Sequence, residues 1–530
     1  MVLAVLAVLI APAAALGQAL AHGWAPHGDD ATIALRAADV LDGRFPLTGM
    51  RSTAGAGVDP TLSTHHLGPV QFYLLAVPLA LAGGSAVGIA LGGVLFVAVS
   101  SVLTVVWARR LGGWPAVLVL SGGLLLTQWA IGPAVMFRPL NPFAPLLPLY
   151  LALVLLWALT AGDRRALPAL VVALSLLAQA NLAFLPLAAA LAVVAVVAVL
   201  GPGRLTSPRA ARRVRRDHRL ALLLGLLVWL PSIVELLVHR PNNLIQLVRW
   251  LASGSGSQAQ DPIGPAAALQ HLSLLAPVPG GFQRYRLSLL DETSTTAVVV
   301  GCVVLALLLL ASVGWLRADG RPVSVWPARI ALVANLAVLA TASQLPPAWA
   351  PPYWVITWLP VVAFSYAALV WRVLSHLGGT SPDLTARLRL PVGGALVVGG
   401  VLAAALALFP SWTVSDAMTG VGRTAAASLG PGEGRAARIT GYGATANLGA
   451  VPAVAWHLHR AGWQPHYFWA WPYDEGTEHL WSDTAPPEAV EVYVTDSDDP
   501  QGAEHLPGPV HEVDTIPFGE DRHFTVYRSE

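Results

Sequence analysis

Residues 22–73 read HGWAPHGDDATIALRAADVLDGRFPLTGMRSTAGAGVDPTLSTHHLGPVQFY, and they separate the first apolar run of the chain from the next. A polar stretch in that position lies at a membrane surface, because it joins two segments that are apolar enough for hydrocarbon. Two adjacent carboxylates, Asp29 and Asp30, follow the first apolar run closely. Acidic groups are expensive near hydrocarbon and tend to be functional where they persist. We therefore expect the chemistry of this chain to be concentrated in this first loop.

The composition places the chain among membrane proteins. Of its 530 residues, 55% are hydrophobic and 12% are charged, whereas a soluble globular chain has about 25% charged residues. Apolar runs of about 20 residues, the length that crosses ~30 Å of hydrocarbon, recur along most of the sequence. The single cysteine, Cys302, lies within such a run, so no disulfide framework or cysteine metal cluster is available. The sequence thus predicts a polytopic α-helical membrane protein.

Windows of about 20 residues predict eleven transmembrane helices. The first lacks a basic N-terminal region and is longer than the apolar core of a secretory signal, so we interpret it as an uncleaved span. Residues 69–82 are apolar but short, and they could form an interfacial helix. The predicted spans are residues 2–21, 84–108, 114–132, 141–160, 166–180, 182–200, 220–238, 294–316, 327–345, 353–374 and 391–410.

The distribution of arginine predicts the orientation of these spans. With the N-terminus inside, every even-numbered connection contains arginine, for example Arg109 and Arg110 in the second. This distribution satisfies the positive-inside rule. The first loop, residues 239–292 and everything after residue 411 are then extracytoplasmic. The basic segment 201–219 fits an inside-retention signal, with binding of anionic lipid or nucleic acid as the alternative. We expect a multi-pass protein of the plasma membrane with no nucleic-acid partner.

The chain divides into two predicted domains. Residues 1–411 form a transmembrane domain that includes the first outer loop, and residues 412–530 form a small extracytoplasmic α/β domain. In the second domain AARITGYG, VEVYVTDSD and HFTVYRS are typical of strands, and AVPAVAWHLHRAG is typical of an amphipathic helix that ends at Gly462. The aromatic cluster HYFWAWPY at 466–473 could bind sugar, lie on the bilayer or pack against the membrane domain.

Asp29 and Asp30 are the first candidates for catalysis. A carboxylate that is partly desolvated at a membrane surface has a raised pKa and can act as a general base. The alternative is structural, since either residue could cap a helix that starts at Ala31. Capping needs one carboxylate, which leaves the second unexplained.

The other polar candidates also lie at outer ends of predicted spans. His65 and His66 could bind a metal or hydrogen-bond a substrate, but adjacent imidazoles suit a metal poorly because neighbouring side chains diverge. Arg138, in the outward connection RPLNPF, has the forked donors that suit phosphate, although it could instead snorkel to lipid headgroups. The remaining candidates are amide or carboxylate side chains near the same surface: Asn141, Gln179, Asn181, Glu235, Asn242 and Asn243.

Several common catalytic motifs are absent from the sequence. It has no glycine-rich nucleotide loop, no HExxH and no nucleophile elbow. A site that uses a soluble nucleotide is therefore unsupported.

The order of these segments resembles that of the membrane-embedded glycosyltransferases with the GT-C fold, which use polyprenyl-phosphate sugars. It is most similar to the actinobacterial branch near the protein mannosyltransferases and arabinofuranosyltransferases. The likeness covers most of residues 1–250, and a hydrophilic outer C-terminal domain also fits it. It rests on GDDA after the first span, then LRAADVLDGRFPLTG and HHLGPVQFYLLAVP, and further along RPLNPFAPLLPLY, QANLAF and WLPSIVELLVHRPNNLIQLVRW.

The resemblance implies a reaction at the outer membrane face. A lipid-linked sugar donor places its phosphate there, and a first-loop carboxylate deprotonates an acceptor hydroxyl, which attacks the anomeric carbon as the polyprenyl phosphate leaves. By matching position, Asp29 would be the base and Asp30 its acidic neighbour. From the residues alone, with no family motif behind the assignment, Arg138 and one or both of His65 and His66 could steady the leaving phosphate.

The expected partners follow from this reaction. They are a polyprenyl-phosphate-linked sugar, a cell-envelope acceptor (a glycan, a lipid or a protein) and the membrane lipids. No cofactor is expected, because the sugar–phosphate bond supplies the energy. No metal is expected either, because RPLNPF has no second acid and a hard divalent cation wants several oxygen ligands.

Two other functional classes are compatible with a chain of this kind. A transporter or lipid flippase would be expected to carry charged residues within its spans and Gly or Pro breaks in matching repeat halves. Here the polar groups collect at the outer ends of nearly charge-free spans, which favours an interfacial site. A non-catalytic scaffold would differ from an enzyme only in tolerating substitution of Asp29 and Asp30. The preferred interpretation is an inverting hexosyl- or pentosyltransferase that acts outside the cytoplasm.

Overall fold

The computed structural model describes residues 1–52, 64–200, 208–252, 262–273, 275, 295–313, 322–345, 350–376, 382–405, 413–467, 482–497, 499, 504, 506–518 and 521–529. Its helices before residue 406 are α1 (Val2–Ala21), α2 (Asp29–Leu41), α3 (Val70–Leu81), α4 (Ala86–Ile131), α5 (Pro133–Met136), α6 (Leu146–Thr160), α7 (Ala166–Ala180), α8 (Leu185–Leu200), α9 (Pro208–Val238), α10 (Asn243–Ala252), α11 (Gly264–Ser273), α12 (Thr295–Ser312), α13 (Pro322–Ala342), α14 (Ala350–His376) and α15 (Pro382–Ala405).

Within the described residues, each predicted span overlaps a helix. Within the described residues, six helical stretches are long and apolar enough to cross a membrane, and shorter apolar helices of 10–17 residues accompany them. Because of these shorter helices, the count of eleven spans stays a prediction. Helix α4, with 46 residues, contains two predicted spans, 84–108 and 114–132. The two halves meet at a kink where Gly113 has φ +66°, a conformation that glycine adopts without strain.

Helix α6 forms the centre of the helical domain. All its residues from Leu146 to Leu159 are buried, so the helix has no polar face. A helix that is hydrophobic on every side must be surrounded by other elements, and α6 packs against α4, α7, α8, α13 and α14. The first span, α1, packs against α4 and α15 and so delivers the first loop to the edge of this core.

The first loop has structure of its own. Helix α2 packs against α3 on one side, and most of its residues are buried. The buried guanidinium of Arg36 donates to Asp39 at 2.7 Å, and Asp39 also accepts from Arg44 at 3.1 Å. Arg36 and Asp39 are buried when α2 packs, and buried charges need partners. These ion pairs supply them. Residues 53–63 of this loop lie outside the described residues.

The C-terminal part of the chain is a small α/β domain. It has helices α16 (Thr413–Leu429) and α17 (Val451–Arg460) and strands β1 (Ala436–Tyr442), β2 (Gln464–Tyr467), β3 (Val490–Asp496), β4 (Val510–Pro517) and β5 (His523–Ser529). The sheet order is β2-β1-β3-β5-β4, with β1 parallel to β2 and β3, and the pairs β3–β5 and β4–β5 antiparallel.

The predicted fold class, a polytopic helical protein with a small C-terminal α/β domain, is confirmed. The domain boundary predicted at residues 411 and 412 lies outside the described residues, as does most of the aromatic segment 466–473. The C-terminal domain rests on the first loop, since α17 packs against α2.

Candidate active site

The first loop turns sharply just before α2. Gly28 has φ +53° and ψ −137°, a conformation that favours glycine. The helix then begins at Asp29 with Gly28 as its N-cap residue, and no side-chain cap is formed. The structural alternative, in which Asp29 or Asp30 caps a helix that starts at Ala31, is therefore contradicted. Both carboxylates lie in the first turn, where the helix dipole favours negative charge.

A buried ion pair lies at this turn. The carboxylate of Asp30 is fully buried, and Arg138 Nε donates to its Oδ2 at 2.6 Å. Arg138 itself stays partly exposed, with its guanidinium 5.6 Å from the centre of the Phe143 ring. The structure thus brings Arg138 from the connection before α6 to the acidic pair of the first loop. A charge-assisted bond of this length is among the stronger hydrogen bonds in proteins.

Asp29 differs from its neighbour in environment. Its side chain is only partly exposed, and no described residue forms a hydrogen bond or ion pair with its carboxylate. Burial, reinforced by the charge of Asp30 and opposed by Arg138, raises the pKa of Asp29 to about 6. A carboxylate with this pKa is ionised at neutral pH, yet it accepts a proton more readily than an ordinary aspartate. Asp29 can therefore act as a base towards a group that approaches from solvent.

His27 is a site residue for which the sequence predicts no role of its own. Its ring is buried and stacks edge-on to Trp24, with ring centres 6.4 Å apart. Nδ1 lies 3.2 Å from the carbonyl oxygen of Ala25, which can only accept, so Nδ1 carries the proton. Burial and the charge of Arg138 lower the pKa of His27 to about 4, with Asp30 acting in the opposite direction. His27 is thus a neutral imidazole beside the acidic pair, and a lone histidine gives no sequence signal for this role.

Two buried oxygen atoms, one in each of the two segments that supply the ion pair, have no hydrogen-bond partner in the described part of the chain. They are Oδ1 of Asp30 and Oδ1 of Asn141, which follows Arg138 in the turn before α6. A buried polar atom without a partner is destabilising by about 1–3 kcal/mol. Such atoms occur where a water or a ligand supplies the missing donor.

His65 and His66 belong to a second cluster, which ties the end of the first loop to α9 and α10. His65 N donates to Asn243 Oδ1 at 2.9 Å, and Asn243 Nδ2 donates back to the His65 carbonyl oxygen at 3.1 Å. Glu235 Oε1 accepts from the Asn243 backbone N–H at 2.7 Å. His65 and Glu235 thus hold the chain together at this corner.

His66 has a fixed tautomer. The backbone N–H of Leu182 donates to His66 Nδ1 at 3.1 Å, so the neutral ring carries its proton on Nε2. Burial, together with the charge of His65, lowers the pKa of His66 to about 3. At neutral pH His66 is therefore an uncharged donor through Nε2.

Three of the amide candidates, Gln179, Asn181 and Asn242, form hydrogen bonds within the protein. Gln179 Oε1 accepts from the Val70 backbone N–H at 3.3 Å, and Gln179 Nε2 donates to the Val228 carbonyl oxygen at 3.2 Å. Asn181 Oδ1 accepts from Ala183 N at 2.9 Å and caps the short 3-10 helix that follows it. Asn242 Oδ1 accepts from Ile245 N at 3.0 Å at the start of α10.

Replacing Gln179 by Leu is expected to reduce the free energy of unfolding by about 1–3 kcal/mol, because Val70 N–H and Val228 C=O lose buried partners. Thermal unfolding of the purified protein in detergent measures this change. Gln344→Leu is the matched control, since Gln344 is exposed. Equal melting temperatures for the Gln179 variant and wild type would contradict the structural role.

The donor set of the site does not resemble a preformed metal centre. Within the described residues, no group of three or more His, Cys, Asp or Glu side chains converges as metal ligands would. The first-loop carboxylates are instead accompanied by the cation of Arg138.

The fold is similar to that of solved membrane proteins. Neither a protein-family model nor a curated protein sequence matches the chain. The crystal structure of ArnT from Cupriavidus metallidurans bound to undecaprenyl phosphate aligns over 94% of this chain and 97% of that chain, with 14% identity and a TM-score of 0.50. The apo structure of the same protein aligns over 93% and 97%, with 14% identity and a TM-score of 0.49. ArnT is a GT-C glycosyltransferase. The chain therefore has a GT-C-like fold, as the sequence predicts, and is a multi-pass membrane protein.

Proposed function

We propose that this protein is an inverting glycosyltransferase, which moves a sugar from a polyprenyl-phosphate donor to a cell-envelope acceptor at the outer face of the membrane. The observation that carries the proposal is the half-buried residue Asp29, whose carboxylate has no hydrogen-bond or ion-pair partner among the described residues and which precedes the Asp30–Arg138 ion pair. Two further points support it. The ArnT structure that shares the fold is bound to undecaprenyl phosphate, and the arginine distribution predicts that the first loop lies outside.

In the proposed reaction Asp29 takes the proton of an acceptor hydroxyl. The oxygen of that hydroxyl attacks the anomeric carbon from the face opposite the phosphate, and a new C–O bond forms. The bond between the anomeric carbon and the phosphate oxygen breaks, and its electron pair leaves with the polyprenyl phosphate. The product sugar has inverted configuration. General-base catalysis of this kind contributes about 10²–10⁴-fold to a rate.

The developing charge on the leaving phosphate needs donors. Asp30 engages Nε of Arg138, and we assign the Nη groups of the same partly exposed guanidinium to the phosphate. His66, an uncharged donor through Nε2, is the second candidate for a phosphate oxygen. The remaining polar residues, His65, Glu235, Gln179, Asn181 and Asn242, are assigned to holding the loops in place.

The proposal is tested by a transfer assay in membranes that contain the protein. Radiolabelled polyprenyl-phosphate mannose and polyprenyl-phosphate arabinose are supplied separately, and membranes without the protein are the control. We expect label from one donor to leave the lipid and appear, with inverted configuration, in acceptor material. Label that crosses to the other leaflet without leaving its lipid would overturn the proposal and favour the flippase alternative.

The rate of transfer is expected to depend on pH through Asp29. The pKa of Asp29 lies at about 6, so kcat/KM should fall about tenfold for each pH unit below that value, as the base becomes protonated. Initial rates between pH 4.5 and pH 8 measure this limb, and donor binding measured separately over the same range is the control. A limb near pH 4, where an ordinary aspartate titrates, would contradict the assignment of the base.

A further inference from the structure

The backbone turn that carries Asp29 is hydrogen-bonded to the C-terminal domain. Gly28 N–H donates to the carbonyl oxygen of Gly449 at 3.0 Å. A Cβ on Gly28 would lie 3.1 Å from the carbonyl oxygen of Leu448, so the two backbones are in close contact. Because Asp29 follows Gly28 directly, the position of Gly449 affects the position of the proposed base.

Gly449 also packs against helix α16. It lies in the single π-helical turn Ala446–Ala450, which leads into α17. A Cβ on Gly449 would collide with the end of the Met418 side chain, which belongs to α16. Single π-helical turns are rare and are found frequently at functional sites. The end of the Met418 side chain therefore fills the space beside Gly449, so a larger residue at position 449 requires Met418 or the π-helical turn to shift.

Two further contacts join the C-terminal domain to the chain before and after this turn. Arg423 of α16 donates to the carbonyl oxygen of Gly23, at the exit of α1. The hydroxyl of Tyr467 on β2 lies 3.5 Å from Oγ1 of Thr32, two residues beyond the acidic pair. The segment between Gly23 and Thr32, which includes His27, is thus held at both ends by the C-terminal domain.

We infer that the C-terminal domain positions the catalytic turn, with Gly449 and Met418 as positioning residues for Asp29. This inference rests on the proposed function. The geometry couples the two domains through backbone atoms, so the coupling depends on how closely the π-turn approaches Gly28. A misplacement of about 1 Å can lower the rate of a well-oriented reaction about 100-fold.

The test introduces a steric conflict between positions 449 and 418 and then removes it with a second substitution. Gly449→Ala introduces a Cβ that collides with Met418, and the backbone of Gly449 does not have a positive φ, so alanine is otherwise tolerated. The double variant Gly449→Ala with Met418→Ala removes the conflict. Arg460→Gln is the matched control, because Arg460 also joins the domains but donates to Gly83, between α3 and α4.

We expect Gly449→Ala to lower kcat at least tenfold with little change in the KM for the donor. The acid limb of its pH profile should move from about 6 towards the ordinary aspartate range, since a displaced Asp29 is less desolvated. The double variant should recover most of the rate, and Arg460→Gln should keep the wild-type rate. Full activity of Gly449→Ala, or failure of the double variant to recover, would overturn the inference.

A measurement without substrate separates this inference from the proposed function. Amide hydrogen exchange of peptides that cover residues 23–35 should be faster in Gly449→Ala than in wild type, and slow again in the double variant. Unchanged exchange in Gly449→Ala would overturn the inference whatever the enzyme does. If exchange behaves as expected but wild type transfers no sugar, the proposed function fails and the contact between the domains stands.

Discussion

Replacing Asp29 by Asn is expected to lower kcat by about 10²–10⁴-fold, the usual contribution of a general base. Asparagine has nearly the same size and keeps the helix start, but it cannot accept the proton of the acceptor hydroxyl. The binding of the lipid donor should change little, because the proposed phosphate ligands are Arg138 and His66. The measurement is the initial rate of sugar transfer at saturating donor, together with donor binding to the purified protein.

The matched control is Asp42→Asn. Asp42 follows α2 in the same loop, and it pairs with Arg44 on the surface at 2.8 Å. Exposed pairs of this kind contribute about 0–1 kcal/mol, so this variant should transfer sugar at the wild-type rate. Loss of activity in both variants would indicate a general effect on the loop. Full activity of Asp29→Asn would remove Asp29 as the base.

The same substitution should not destabilise the fold. The pKa of Asp29 is about 6 in the folded protein, above its ordinary value of 3.8. Its ionisation therefore costs folding free energy as the pH rises from about 4 to about 6. Asparagine removes that cost, so the melting temperature of Asp29→Asn at pH 7 should equal or exceed that of wild type. A lower rate with equal or higher stability is the pattern of a functional residue.

Much of the helical domain could be predicted because the bilayer demands long apolar helices. The kink at Gly113 was less visible, since a glycine pair between apolar runs is equally consistent with a loop. In the C-terminal domain the sequence pattern predicts β1, β3 and β5 but not β2 or β4. Both missed strands lie at the edges of the sheet, where one side of the strand is unpaired and the alternation of buried and exposed residues is weak.

The candidate site shows the same division between local and long-range information. Asp29 and Asp30 could be singled out because adjacent acids beside a span are unusual. The polarity of Gln179 at a span end makes it a candidate on similar grounds, yet its hydrogen-bond partners are Val70 and Val228, which no local pattern connects to it. The contact between Gly28 and Gly449 is likewise a product of tertiary structure. A polar side chain near the end of a span indicates that the position has a role. The hydrogen-bond partners of that side chain in the folded protein show whether the role is catalytic or structural.

Removing the Arg138 side chain is expected to lower the free energy of unfolding strongly. In Arg138→Ala the fully buried carboxylate of Asp30 loses its ion-pair partner. Breaking a buried pair by removing one member typically destabilises a protein by about 3–5 kcal/mol. Asp30→Asn should cost less, because the guanidinium that it leaves is partly exposed and can be solvated. Unfolding in detergent measures both, and the double variant Asp30→Asn with Arg138→Gln should be more stable than Arg138→Ala.

The pH profiles of Arg138→Ala and Asp30→Asn should move in opposite directions. The charge of Arg138 lowers the pKa of Asp29 and the charge of Asp30 raises it. The acid limb of kcat/KM should therefore move above about 6 in Arg138→Ala and below about 6 in Asp30→Asn. A general loss of structure would reduce the amplitude of both profiles without separating the limbs. Opposite shifts would identify Asp29 as the titrating base and would place Arg138 and Asp30 within its electrostatic reach. Acid limbs at the same pH in both variants would contradict that assignment.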